Sequence, residues 1–256
     1  MEKHFKIDLS KKNILVTGAG GLLGSEFVNF LVKFNARCVC IDKNLDSLKK
    51  KFKKNNSQKI LYYKCDITKT NDLKKIHNIL KEKKIFIDTI INNAAINPTP
   101  GRKNKSWNTE IEVGLTGANN VILEFTKIMI KKKVGNIINI GSDLSVIAPN
   151  QEIYKRAKLN YIKPLSYSVI KHGIVGMTKY YASLLGKHNI RCNCISPGGV
   201  NNNLDKKLVK EIIKHIPLKR MATKDEYNLA ILFLCSDGLK YMTGQNMVID
   251  GGRSII

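Results

Sequence analysis

The sequence predicts a doubly wound α/β domain, a seven-stranded parallel sheet with helices on both faces. Three observations predict it. Short apolar runs alternate with amphipathic segments from end to end. A glycine cluster joins the first run directly to a helix-compatible stretch. No repeat, low-complexity linker or composition break interrupts the pattern, so residues 1–256 read as one domain.

The strands are expected at 13–18 (NILVTG), 37–42 (RCVCID), 59–66 (KILYYKCD), 87–94 (IDTIINNA), 135–142 (GNIINIGS), 190–197 (IRCNCISP) and 246–252 (NMVIDGG). These runs are mostly apolar rather than strictly alternating, as strands buried on both faces are. Helical periodicity fills the intervals 24–34, 44–54, 70–82, 107–131, 167–186 and 224–235. Two segments break the alternation. Residues 143–166 form a polar, aromatic insertion, and residues 198–222 a long connection before the last helix. Both follow the carboxyl ends of strands, the side on which open α/β sheets bind ligands.

Composition excludes several classes. Hydrophobic content of 43% with 25% charged residues is that of a globular protein. The start, MEKHFKIDLSKK, has no apolar segment of a secretory leader, and no run is long enough to cross a bilayer, so a cytoplasmic protein is expected. Six cysteines lie in apolar runs without metal-ligand spacing, so they are expected to be reduced core residues and no metal is expected. The formal charge is +24, yet only six of the 44 basic residues are arginine. Solvated lysine on helix faces accounts for it, and attraction of an anionic substrate is the alternative. Nucleic-acid binding would need clustered arginine and aromatic side chains, and neither is present.

Chemistry enters at ILVTGAGGLLG, residues 14–24. Gly18 and Gly21 lie where a strand turns into a helix beginning near Leu22 and Leu23, whose free N–H groups would face a phosphate. Asp42 closes the second strand 24 residues after Gly18, the place of an acid that hydrogen-bonds a ribose and repels a 2′-phosphate. That favours NAD over NADP, although Lys43 beside it offers a charge to a 2′-phosphate. Tyr167 and Lys171 are i and i+4 on one helical face. An ammonium there is expected to lower the tyrosine pKa, as a general acid/base requires.

The motifs TGAGGLLG, CDIT, NNAA, NIGS, YSVIK, NCISPGGV and TGQNMVIDGG follow one another from about residue 10 to 253. In this order they resemble the short-chain dehydrogenase/reductase family, in its short single-domain form with a Rossmann-type fold. The resemblance implies an NAD(P)-dependent dehydrogenase or reductase acting on CH–OH groups. It implies Tyr167 as proton donor or acceptor, with Lys171 holding the nicotinamide ribose and Ser142, rather than Ser145, bonding the substrate oxygen. It places Asp66 and Ile67 at the adenine and Asn93, Ala94 and Ala95 along the cofactor cleft. Pro197, Gly198 and Val200 would border the nicotinamide, with a substrate lid at about 198–222. A homotetramer or homodimer is also implied, with helices near 107–131 and 167–186 in one interface.

Three departures qualify the resemblance. VGLTG places Gly114 where the family usually has an asparagine that supports a proton-relay water. The loop reads T-G-x-x-G-x-x-G, the spacing of longer, sugar-nucleotide-acting members. Ser142 and Tyr167 stand 25 residues apart, about twice the usual interval, and the added segment carries Tyr154, Arg156, Tyr161 and Lys163. Tyr154 and Arg156 are the candidates there for an anionic or sugar-like substrate. The lengthened segment resembles a branch associated with flagellin modification and nonulosonic-acid sugars. The expected activity is thus NAD(H)-dependent interconversion of a secondary alcohol and a ketone on a sugar derivative. A 3-oxoacyl-[acyl-carrier-protein] reductase using NADPH and a non-catalytic NAD-binding sensor are the alternatives.

Overall fold

The computed structural model describes residues 7–53, 58–101 and 105–256. Seven strands form one parallel sheet: β1 (Asn13–Thr17), β2 (Arg37–Asp42), β3 (Ile60–Lys64), β4 (Thr89–Asn92), β5 (Gly135–Ile140), β6 (Ile190–Pro197) and β7 (Asn246–Ile249). Their order is β3-β2-β1-β4-β5-β6-β7. The chain steps outward from β1 in one direction, then restarts on its other side at β4. In register, Leu15 has Val39 on one side and Ile90 on the other. The crevice opens beyond the carboxyl ends of β1 and β4, where the order reverses.

Successive strand residues face opposite layers. Ile14 and Val16 pack with Phe27, Val28 and Leu31 of α1 (Leu22–Lys33) and with Ile231 and Leu232 of α9 (Asn228–Cys235). Leu15 points the other way, into Leu73 and Ile76 of α3 (Thr70–Glu82), Phe125 and Met129 of α5 (Ala118–Lys132) and Tyr181 of α7 (Leu165–Gly186). Helices α2 (Leu45–Phe52), α4 (Trp107–Ile111), α6 (Glu152–Arg156) and α8 (Lys206–Ile213) complete the count among the described residues. The predicted end of α2 at residue 54 lies outside them. All six cysteines are free and buried, and no helix among the described residues is long and apolar enough to cross a membrane.

Three sequence expectations are refined. The single helix expected over 107–131 is α4 and α5 joined by a wider π-helical turn, Glu112–Gly117. Gly114 and Gly117 explain it. A Cβ on Gly114 would stand 2.6 Å from Ile170 Cγ2, and one on Gly117 would stand 2.7 Å from Ile67, so the backbone itself presses against its neighbours. The last helix begins at Asn228 instead of 224, because Glu226 accepts from the Thr223 N–H and pairs with Arg220. The two irregular segments are not independent loops. Each holds a short helix, α6 and α8, and Ile153, Ala157 and Leu208 bury one helix against the other. Asp205 caps α8 through the N–H groups of Lys207 and Leu208. Pairing of Val200 with Ala222 closes the base of the 198–222 connection.

Candidate active site

The glycine turn is built by close approach. Gly18 has φ +60°, and a Cβ there would lie 2.7 Å from Ala94 Cα. Thr17 Oγ1 accepts from the N–H groups of Asn93 and Ala94, each at 3.0 Å. Asn93 Nδ2 returns the contact by donating to the carbonyls of Thr17 (2.9 Å) and Gly18 (3.1 Å). Asn93 thus braces the loop, while Ala94 and the exposed Ala95 run along the crevice. The first turn of α1 starts at Gly21, has no side-chain cap and no acidic residue, so Leu22 and Leu23 present a positive helix end to an anion.

Asp42 is fixed beside that loop. Its Oδ2 accepts from the Gly20 N–H at 3.1 Å and its Oδ1 from the Asn44 N–H at 2.9 Å. Ser47 Oγ donates to the Gly20 carbonyl at 2.9 Å and locks α2 to the same turn. Lys43 is exposed. Further along, Asp66 Oδ1 accepts from the Thr68 N–H and hydroxyl, and Asn120 Nδ2 donates to the Ile67 carbonyl. On the other side of the crevice Pro197 ends β6, and the Gly198 N–H donates to Ile249 while its carbonyl accepts from Tyr227 Oη. Val200 stands where the 198–222 connection begins, bridged to Ala222. A Cβ-free cradle, an uncapped helix end and a carboxylate over the second strand fit a dinucleotide. Gly18, Gly21, Leu22 and Leu23 would hold its pyrophosphate and Asp42 a ribose. Such a cofactor supplies or accepts a hydride when bound.

Ser142, Tyr167 and Lys171 meet beyond the end of β5. Ser142 is buried; its Oγ donates to Asp143 Oδ1 at 2.8 Å and accepts from the Leu144 N–H at 3.2 Å, and the Tyr167 hydroxyl lies within its reach. Ser145 turns away from the site, accepting from the Ser142 N–H at 2.9 Å, so it positions Ser142 and does not replace it. Lys171 is buried and Nζ donates to the Ile140 carbonyl at 2.9 Å. Desolvation lowers the Lys171 pKa to about 8. Tyr167 moves opposite to expectation. Burial pushes it up to about 12, and the Ser142 hydrogen bond offsets only part of that rise. Lys171 lies 5.7 Å from the tyrosine ring centroid with its ammonium engaged elsewhere.

The flap divides the two substrate candidates. Tyr154 reaches the site: it meets Tyr161 edge-on at 4.8 Å and feels Arg253 and Asp143, while burial raises its pKa. Arg156 does not reach it. It is exposed on α6, within electrostatic range of Glu211 on α8.

Three further groups border the site without a local sequence pattern to mark their contacts. Arg253, beyond β7, pairs with Asp143 at 2.6 Å, joining the chain end to the turn after β5. Lys163, expected only as one basic residue of the added segment, has its Nζ 3.9 Å from the Tyr167 ring centroid. Buried Glu110 of α4 accepts from the Ser166 hydroxyl.

The arrangement suits proton exchange with a substrate oxygen at Tyr167, with Ser142 able to stabilise charge on that oxygen once its hydroxyl turns from Asp143 to donate to it. The family model described as enoyl-(acyl carrier protein) reductase matches residues 23–254. The chain belongs to the short-chain dehydrogenase/reductase family. Its sequence is 32% identical over 254 residues to the 3-oxoacyl-[acyl-carrier-protein] reductase FabG of Buchnera aphidicola subsp. Schizaphis graminum, covering 95% of this chain and 98% of that one. It is 30% identical to zerumbone synthase of Zingiber zerumbet, covering 96% of each chain. Among solved structures, the short chain dehydrogenase of Leptospira borgpetersenii serovar Hardjo-bovis, with bound NAD+, superposes with a TM-score of 0.88 at 31% identity. That match covers 99% of this chain and 97% of the other. This short-chain dehydrogenase/reductase is therefore an NAD(P)-dependent oxidoreductase.

Proposed function

We propose that the protein is an NAD(H)-dependent oxidoreductase interconverting a secondary alcohol and a ketone on a polar, sugar-like substrate of surface-glycan or flagellin-modification metabolism. The placement of Asp42 carries the cofactor half of this reading. Its carboxylate is held by the Gly20 and Asn44 N–H groups at the edge of the phosphate cradle, where it accepts from ribose hydroxyls and repels a 2′-phosphate. The polar groups around Tyr167 support the substrate half: Tyr154, Tyr161 and the Asp143–Arg253 pair. In oxidation, Tyr167 as phenolate takes the hydroxyl proton while Ser142 bonds the substrate oxygen. Exposed Leu123 of α5 and Tyr180 and Leu184 of α7 support self-association through those helices, as a homodimer or homotetramer.

A second reading is favoured by the relatives that bear the name 3-oxoacyl-[acyl-carrier-protein] reductase. The two separate in one assay. The purified protein is offered NADH or NADPH with keto sugars, sugar phosphates, nucleotide sugars and an acetoacetyl thioester. NADH turnover on a keto sugar is expected, and Tyr167→Phe should lower it by roughly 10²–10⁴-fold while leaving NADH binding intact. A clear preference for NADPH with the thioester would replace the sugar reading by the acyl reductase.

A further inference from the structure

Lys163 is the last residue of the flap before the turn into α7, and its placement is strongly determined. The side chain of Gln151 clamps its backbone from both sides, accepting from the Lys163 N–H at 2.9 Å and donating to its carbonyl at 3.1 Å. The Lys163 side chain is turned inward and is only 8% exposed. Its ammonium donates to Asn97 Oδ1 at 2.9 Å and to the Pro98 carbonyl at 2.7 Å, both on the loop after β4. The same nitrogen sits 3.9 Å from the centroid of the Tyr167 ring, closer than Lys171 at 5.7 Å.

A desolvated cation normally requires an anion beside it. Lys163 forms no ion pair with a carboxylate among the described residues, and Asp143 and Glu110 act on it only at longer range. Burial lowers its pKa to about 8, with Lys171 and Arg253 pushing the same way. The one anion that the chemistry of the site generates against this ammonium is the phenolate of Tyr167.

We propose that Lys163 is a second positioning cation for Tyr167, delivered by the flap, and that the Tyr167 phenolate is its missing counter-ion. The inference rests on the reading of Tyr167 as the acid/base. It gives the lengthened Ser–Tyr segment a function beyond covering substrate, since the insertion brings charge to the reacting phenol. When the substrate hydroxyl yields its proton, the O–H bond of the substrate breaks and the O–H bond of Tyr167 forms. The two ionisations are coupled: the phenolate holds the proton on Lys163, and the Lys163 ammonium favours the phenolate. The other titratable groups around the phenol are Asp143 after β5, Tyr154 on α6, Tyr161 in the flap, Lys171 on α7, Glu110 on α4 and Arg253 beyond β7. Of the cations, only Lys163 and Lys171 approach the ring itself.

The test compares Lys163→Met, Lys163→Arg and Asn97→Ala in the full chain. Tyrosinate absorbance is followed against pH with and without an added Tyr167→Phe, so that the difference isolates Tyr167. NADH binding checks the fold, and the pH profile of kcat/KM is recorded beside it. Removing a cation disfavours the phenolate, so Lys163→Met should raise the Tyr167 ionisation by about one unit or more. The acid limb of alcohol oxidation should move up with it, with kcat falling more than KM changes. Lys163→Arg, which keeps the charge, should restore most of the shift. Asn97→Ala, which loosens one anchor, should give a smaller shift in the same direction, and it decides the matter if Lys163→Met fails to bind NADH. A Tyr167 titration that superposes on the parent overturns the Lys163 proposal alone. Full turnover in Tyr167→Phe overturns the acid/base reading and this proposal with it.

Discussion

Asp42→Asn separates the charge of the ribose-reading residue from its hydrogen bonds. The carboxylate accepts the Gly20 N–H through one oxygen and the Asn44 N–H through the other. An asparagine keeps one acceptor and turns an amide toward the second N–H, so roughly 1 kcal/mol of local stability is lost. The larger effect is electrostatic. A 2′-phosphate bound against this residue would bring like charges to about 5 Å. Coulomb's law then gives about 1–3 kcal/mol per unit charge between the effective dielectric of a protein surface and that of water. That corresponds to roughly 5–150-fold in affinity, at about 1.4 kcal/mol per factor of ten. Binding of NADH and NADPH is measured by titration of cofactor fluorescence on wild type and variant. The wild type should prefer NADH, and the ratio of the two Kd values should shift toward NADPH by at least fivefold in the variant. Exposed Lys43 would then be free to contribute to the phosphate. A ratio that moves less than twofold, or a wild type that already prefers NADPH, would refute the assignment of Asp42 as the selecting charge.

Two further perturbations test the frame around the site. Gly18→Ala introduces a side chain at φ +60° and 2.7 Å from Ala94 Cα, which should cost roughly 1–3 kcal/mol and lower Tm while weakening NADH binding; an unchanged Tm and Kd would show that the turn relaxes freely. Glu226 is held down to about 2 from an ordinary 4.5 by its two contacts with Arg220 and by the Thr223 N–H. A depressed carboxylate pKa contributes stability that is present above about 4.5 and lost as pH falls toward 2. Solvent exposure limits the contribution to under about 1 kcal/mol. Glu226→Gln should therefore narrow the acid stability difference by that small amount, as read from urea unfolding at pH 3 and pH 6.

The sheet was legible because parallel strands covered on both faces read as nearly continuous apolar runs. The runs at 13–17, 37–42, 135–140 and 190–197 show this without any help from homologues. The glycine turn, Asp42 and the Tyr167–Lys171 pair were legible because each depends on spacing within one element or one strand–turn–helix unit. Helices α6 and α8 were not, since a helix of five or eight residues carries too little periodicity and is stabilised by its partner. The Asp143–Arg253 pair and the Lys163–Tyr167 contact were also invisible, for different reasons. The first joins residues 110 apart in sequence, and the second uses a lysine in a chain full of lysines.

Gly114 shows how a departure at one position gains meaning only with its neighbour. Taken alone, it removes a side chain expected to hold a relay water beside Lys171. In the fold, Ile170 occupies the space where any side chain on residue 114 would lie, with Cγ2 2.6 Å and Cδ1 3.0 Å from the position of a Cβ. Ile170 is itself buried and directly precedes Lys171, whose ammonium is held by the Ile140 carbonyl. The π-helical turn at Glu112–Gly117 lets the backbone of α4 and α5 close onto α7 at this point. An apolar contact therefore replaces the expected polar side chain, and Lys171 is left desolvated, with its pKa lowered to about 8. A tyrosine flanked by a single desolvated lysine has less help in forming a phenolate than one beside a hydrated relay. The flap answers that loss by bringing the Lys163 ammonium to 3.9 Å from the ring centroid. The glycine at 114, the isoleucine at 170 and the lengthened segment before Tyr167 are then parts of one arrangement, and changing one of them alone should disturb the other two.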